Sequence, residues 1–127
     1  MDEYKLWFKK ADDNLLWAED NLDDGFYPLV CFLTQQAVEL ALKGFLYKKE
    51  VIAPKSHKLI DIYKVCEESG LKLSVKYHQA LKVITDYYFE SRYPDMENQD
   101  LNNKKIAEEG LSVAKEIVEE IKNQLPA

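Results

Sequence analysis

Arginine is almost missing from this chain. Arg92 is the single guanidinium among 17 basic side chains; all the others are lysine. Glycine and proline number four each, too few for a loop-dominated or repetitive protein. Two cysteines and two histidines are too few, and too far apart, for a zinc motif, so no metal site is expected. Positive charge is also in deficit. The formal net charge of -6 excludes a broad basic surface for nonspecific nucleic-acid binding, though not one small phosphate site. No Gly-rich phosphate loop, catalytic triad or paired-carboxylate pattern occurs, and no cofactor is implied. No apolar run approaches the roughly 20 residues that span a bilayer. The acidic opening Met1-Asp2-Glu3 lacks a signal-peptide pattern. Cys31 and Cys66 lie among apolar residues and read as buried thiols suited to a reducing compartment, so the expected location is the cytoplasm.

What the chain does contain is helical periodicity. Its 127 residues suit one domain, 1–127, able to bury a core without staples. Tyr4, Trp7, Phe8, Ala11, Leu15, Ala18 and Leu22 recur at three- and four-residue steps and predict a helix over 4–22, with Gly25 at its stop. Leu6 and Trp17 project from the other face, as ordinary exposed residues or as part of a partner surface. Pro28 fits the first turn of a second helix over 27–49. That helix is apolar on two sides, Leu29, Leu33, Ala37 and Leu40 on one and Cys31, Val38, Leu42 and Phe45 on the other, so it should lie centrally. Ser56 reads as the N-cap of a third helix over 57–69, ended by Gly70. A fourth spans 74–89, and Pro94 forbids regular continuation beyond it. Residues 96–102 read as a polar loop and 103–124 as the last helix. Five helices with short connections and no strand pattern predict an all-α antiparallel bundle.

Chemistry gathers in two places. Between the apolar faces of the second helix runs a polar strip of Gln35, Gln36, Glu39 and Lys43, with the acid and the lysine in the favoured i,i+4 order. The strip is either the solvent-facing edge of a buried helix or a set of donors and acceptors for a nucleotide. Arg92, beside Tyr93 and Asp95, either pairs internally with Asp95 or Glu39 or grips a phosphate together with Lys43, with Tyr93 stacking or shaping the pocket. His57 is a packing residue or a ligand contact at the start of the third helix; His78 reads as surface beside Lys82. Tyr87, Tyr88, Phe89 and Tyr93 form an aromatic cluster, read mainly as core packing with base stacking as the alternative.

The run Phe32-Leu33-Thr34-Gln35-Gln36-Ala37-Val38-Glu39-Leu40-Ala41-Leu42-Lys43 resembles the second-helix signature of HEPN domains (higher eukaryote and prokaryote nucleotide-binding domains). The opening helix with Trp7 and Ala11, then Tyr27, Ser56-His57-Lys58-Leu59 and Ser91-Arg92-Tyr93-Pro94-Asp95, follow in the family's order. The resemblance implies a helical bundle that often forms a homodimer. It also implies a minimal nucleotidyltransferase-like partner, often in a toxin–antitoxin pair, and a nucleotide- or RNA-associated role. Some members are metal-independent ribonucleases with an arginine, four to six residues, then a histidine. Here those offsets hold Glu97, Asn98 and Gln99, and both histidines precede Arg92, so the nuclease motif is absent. The expectation is a noncatalytic binding domain with a pocket from Gln35, Gln36, Glu39, Lys43, His57, Arg92, Tyr93 and Asp95. Its rivals are a divergent ribonuclease pairing Arg92 with His57 in space, and a pure helical assembly module.

Overall fold

The second helix takes the central place that its two apolar faces demand. In the computed structural model, which describes residues 2–96 and 100–126, the helices are α1 (Tyr4–Asp23), α2 (Tyr27–Lys48), α3 (Leu59–Glu68), α4 (Lys76–Arg92) and α5 (Lys104–Asn123). A short 3-10 turn, Pro94–Met96, follows α4. α2 packs against all four other helices. Among the described residues there is no strand.

α1 lays Phe8, Ala11, Leu15 and Ala18 against the core. It approaches α2 so closely that a Cβ on Gly44 would meet the Phe8 ring at 2.9 Å and the Trp7 Cβ at 3.0 Å. Gly25 ends α1 with φ of 81°, the left-handed conformation expected there. Pro28 sits in the first turn of α2 as predicted. Leu29 departs from its expected inward position. It is 44% exposed, because the first turn of α2 lies at the bundle's edge, where Leu29 borders a shallow cleft with Ser91 and Arg92.

α3 starts two residues later than its sequence suggests. Ser56 is not its N-cap: the Ser56 hydroxyl accepts from the Lys58 N–H (3.0 Å) and donates to Asp61 (3.1 Å), closing a turn ahead of the helix. Lys58 is the extended boundary residue, and the first helical N–H, that of Leu59, donates instead to the Thr85 hydroxyl on α4 at 3.0 Å. α4 runs one turn further than predicted, to Arg92. Tyr93 is extended (φ -124°, ψ 110°), the conformation imposed on a residue before proline. The segment before α5 is not wholly polar, since Leu101 is buried. Asn103 caps α5 by accepting from the Ile106 N–H at 3.0 Å. Lys122 pairs with Asp12 at 2.6 Å, and Lys115 pairs with Glu19, fastening α5 antiparallel to α1.

Two further expectations change. Tyr27–Lys48 is long enough to cross a membrane and holds an 18-residue window apolar enough to do so (mean hydropathy 1.3), which the search for an unbroken apolar run did not reveal. Scattered polar side chains interrupt the run without lowering its mean hydropathy enough. In the fold 72% of that window is buried inside the bundle, so its apolar surface serves packing. His78 is half-buried rather than on the surface. Its ring lies 5.4 Å from Tyr63, and its Nε2 is buried without a hydrogen-bond partner among the described residues. Cys31 and Cys66 are buried and unpaired as expected, and burial pushes both thiols up to about 12, which leaves them unreactive.

Candidate functional site

The polar strip of α2 turns inward. Gln35 is fully buried and Glu39 is 7% exposed, so the solvent-edge reading of the strip does not hold. Residues 35, 39 and 43 share one helix face at i,i+4 spacing, and their side chains close on one another. Glu39 Oε1 accepts from Gln35 Nε2 at 2.9 Å, and Glu39 Oε2 accepts from Lys43 Nζ at 2.9 Å. Gln36 Nε2 donates to Gln35 Oε1 at 2.7 Å, which orients the buried amide toward the acid. A buried carboxylate needs such company, since an unpaired one would be prohibitively desolvated. Burial pulls the Glu39 carboxyl upward, but the hydrogen bonds from Gln35, Lys43 and His57, with the lysine's charge, outweigh it and hold the group below its ordinary value.

His57 arrives from the connector between α2 and α3. Its Nδ1 lies 3.2 Å from Glu39 Oε1, and its carbonyl accepts from Gln35 Nε2 at 3.3 Å. Two side chains of α2 thus hold both ends of one connector residue. The late start of α3 is what permits this, because a helical His57 would have its carbonyl committed to the helix ladder. The outer side of the ring lies on Tyr88 of α4, centroids 4.3 Å apart and planes 17° from parallel. One turn further along α4, the Arg92 guanidinium lies 5.0 Å from the centre of the same Tyr88 ring, within cation–π reach. Phe32 of α2 stacks on Tyr88 at 6.3 Å.

A continuous series of contacts therefore runs from Lys43 through Glu39, His57 and Tyr88 to Arg92. It links Gln35, Gln36, Glu39, Lys43, His57 and Arg92, with Lys43 and Arg92 lining different clefts. It corrects the roles of two of them. Lys43 is engaged by Glu39 and only 20% exposed at its side chain, so its charge is spent internally. Arg92 makes no ion pair among the described residues, neither with Asp95 nor with Glu39, and is exposed. Tyr93 and Asp95 stand at the margin: Tyr93 is 42% exposed and packs on Phe89 at 6.4 Å, and Asp95 is exposed on the 3-10 turn. Glu97, Asn98 and Gln99, the offsets of the nuclease motif, lie outside the described residues. The residue that sequence reasoning left out of the site, reading it mainly as core packing, is Tyr88. Its spacing of four before Arg92 was the available signal.

Beside Arg92 lies a shallow cleft of about 250 Å³, lined by Pro28, Leu29, Phe32, Ser91 and Arg92. That is slightly below the ~300–1,000 Å³ of ordinary small-molecule pockets, and suits one base or one phosphate better than a whole ligand. A larger cleft of about 480 Å³ lies on the other flank of Lys43, lined by Trp7, Tyr47 and the 50–53 turn. No grouping of metal-ligating side chains occurs among the described residues.

The class of protein is thus an all-α bundle, here with a buried glutamate on its central helix tied to a histidine from the following connector. The HEPN domain family model matches residues 4–124, and the chain belongs to that family. The crystal structure of TT1696 from Thermus thermophilus superposes with a TM-score of 0.88 at 30% identity, over 98% of this chain and 100% of that one. The structure of ST0689, an archaeal HEPN homologue, superposes with a TM-score of 0.79 at 25% identity, over 97% of this chain and 98% of that one. A comparison with curated proteins gives no match.

Proposed function

We propose that this chain is a noncatalytic, cytoplasmic HEPN-type domain that binds a nucleotide or RNA, forms a homodimer and serves a nucleotidyltransferase-like partner in a toxin–antitoxin pair. One observation carries the binding reading. Arg92, the sole guanidinium, lies exposed against an aromatic ring, free of carboxylates among the described residues, beside a cleft of base or phosphate size. Such a fork takes phosphate oxygens bidentately. The Glu39 network does not itself meet the ligand; it fixes His57, and His57 supports Tyr88 beneath the guanidinium. The partner and the toxin–antitoxin setting rest on family membership. Half-exposed Leu6 and Trp17 on α1 supply apolar surface for self-association.

Titration calorimetry with AMP and with a short single-stranded RNA tests the binding reading. Arg92→Gln is expected to weaken binding by about tenfold or more, the worth of a charge-assisted hydrogen bond, and to leave the melting temperature nearly unchanged. Equal binding by the parent and the variant would refute it. A second reading has its own support, because His57 and Arg92 both contact the Tyr88 ring. A divergent ribonuclease would use the imidazole as base and the guanidinium as phosphate clamp. RNA cleavage lost in His57→Ala would favour it.

A further inference from the structure

The Glu39–His57 contact fixes more than a position. Glu39 is an ionised acceptor already receiving Gln35 and Lys43, so the proton in its 3.2 Å contact with His57 must sit on Nδ1. A neutral His57 is therefore held in the Nδ1–H tautomer, and its lone pair lies on Nε2. The side chain is 50% exposed, with Nδ1 turned to the buried acid and one face on Tyr88, so the edge bearing Nε2 is the accessible part. A carboxylate that orients an imidazole and stabilises its cationic form is the arrangement that makes the distal nitrogen an effective base or nucleophile.

The geometry points to His57 Nε2 as a phosphoryl-acceptor site, modified by a small acyl phosphate or phosphoramidate, with Glu39 as its positioning residue. The Nε2 lone pair forms the N–P bond. With an acyl phosphate the P–O bond to the acyl group breaks, and the carboxylate leaves with the electron pair. With phosphoramidate the P–N bond breaks, and the nitrogen, protonated in the reagent's zwitterion, leaves as ammonia. His57 itself loses no proton: the product imidazolium keeps its Nδ1–H, which Glu39 stabilises through the existing hydrogen bond. Arg92 contacts the same Tyr88 ring and is the permanent cation held near this site. Among the described residues, Lys43 is already bound to Glu39, and Lys58 is adjacent in sequence and exposed. His78 is the internal control, because its Nε2 is buried against the protein. Phosphoryl transfer would occupy the same patch as nucleotide binding but needs no nucleotide, so either can fail alone.

The full chain is incubated with potassium phosphoramidate and, separately, with acetyl phosphate, followed by intact mass and alkaline-stable peptide mapping. One phosphoryl group on His57 and none on His78 is expected. The rate should exceed that of His57 in the same chain unfolded in urea, and Glu39→Gln should slow it by about 10- to 100-fold, as removal of a partner that orients a functional imidazole does elsewhere. Should Glu39→Gln fail to fold, long-range 15N NMR of the parent protein decides through the tautomer. An Nε2–H tautomer, labelling no faster than in the unfolded chain, or equal labelling of His78 would overturn the proposal.

Discussion

Glu39 is the residue on which the site turns. It is an acid in the middle of the most buried helix, tolerable because three donors meet it. Its carboxyl is held below the ordinary value in the folded chain, so the folded state prefers the ionised form more than the unfolded chain does. The resulting stability is complete above the unfolded value near 4.5 and is lost as pH falls through the lower folded value. Melting temperatures measured from neutral pH down into that acid window should fall in the parent. Glu39→Gln should flatten this dependence and lower stability at neutral pH by about 1–3 kcal/mol, because Lys43 and His57 lose a charged acceptor. Arg92 differs in kind. Its exposure and lack of an ion pair among the described residues mean that its loss should register in binding and hardly in melting.

At the scale of the elements, α1 approaches α2 closely at Gly44. A methyl group there meets the Phe8 ring and the Trp7 Cβ inside van der Waals distance. Gly44→Ala gains helix propensity yet should destabilise by about 1–3 kcal/mol through overpacking, seen as a lower urea midpoint with an unchanged slope. The helices themselves were legible in the sequence. The stripe of α1, the two-sided α2 and the left-handed Gly25 follow from spacing and backbone sterics alone. Helix ends were less so. Ser56 looks like a cap by residue type, but the tertiary contact of His57 with Glu39 holds the connector out of the helix and delays α3. The site was half legible. Polar residues at i,i+4 on an apolar helix announce a cluster, but a strip cannot say whether it faces water or the core. That depends on what the connector brings to it. Tyr88 was hidden for the same reason: an aromatic on an inward face looks the same whether it packs a core or props a guanidinium.

The whole molecule buries its core yet leaves apolar side chains outside. Leu6 and Trp17 are each 50% exposed and Leu16 is 55% exposed, all on α1. If this side of α1 joins two copies, Leu6→Glu with Trp17→Glu should shift the mass seen by light scattering from dimer to monomer and leave circular dichroism intact. A dimer that survives both changes places the interface elsewhere. The outward face of α1 then has no part in assembly.

The clasp of α5 onto α1 and α2 has a consequence for synthesis. The most extensive helix contact, α1 with α2, is made early in the chain, while the other flank of α2 is covered by residues 104–123. Translation runs from the amino end, so the first hairpin emerges from the ribosome long before its lid. Until α5 clears the exit tunnel, the nascent hairpin carries an open greasy trough shaped for a helix. A holdase chaperone or a neighbouring nascent chain would find that trough first, and the emergence of α5 closes it.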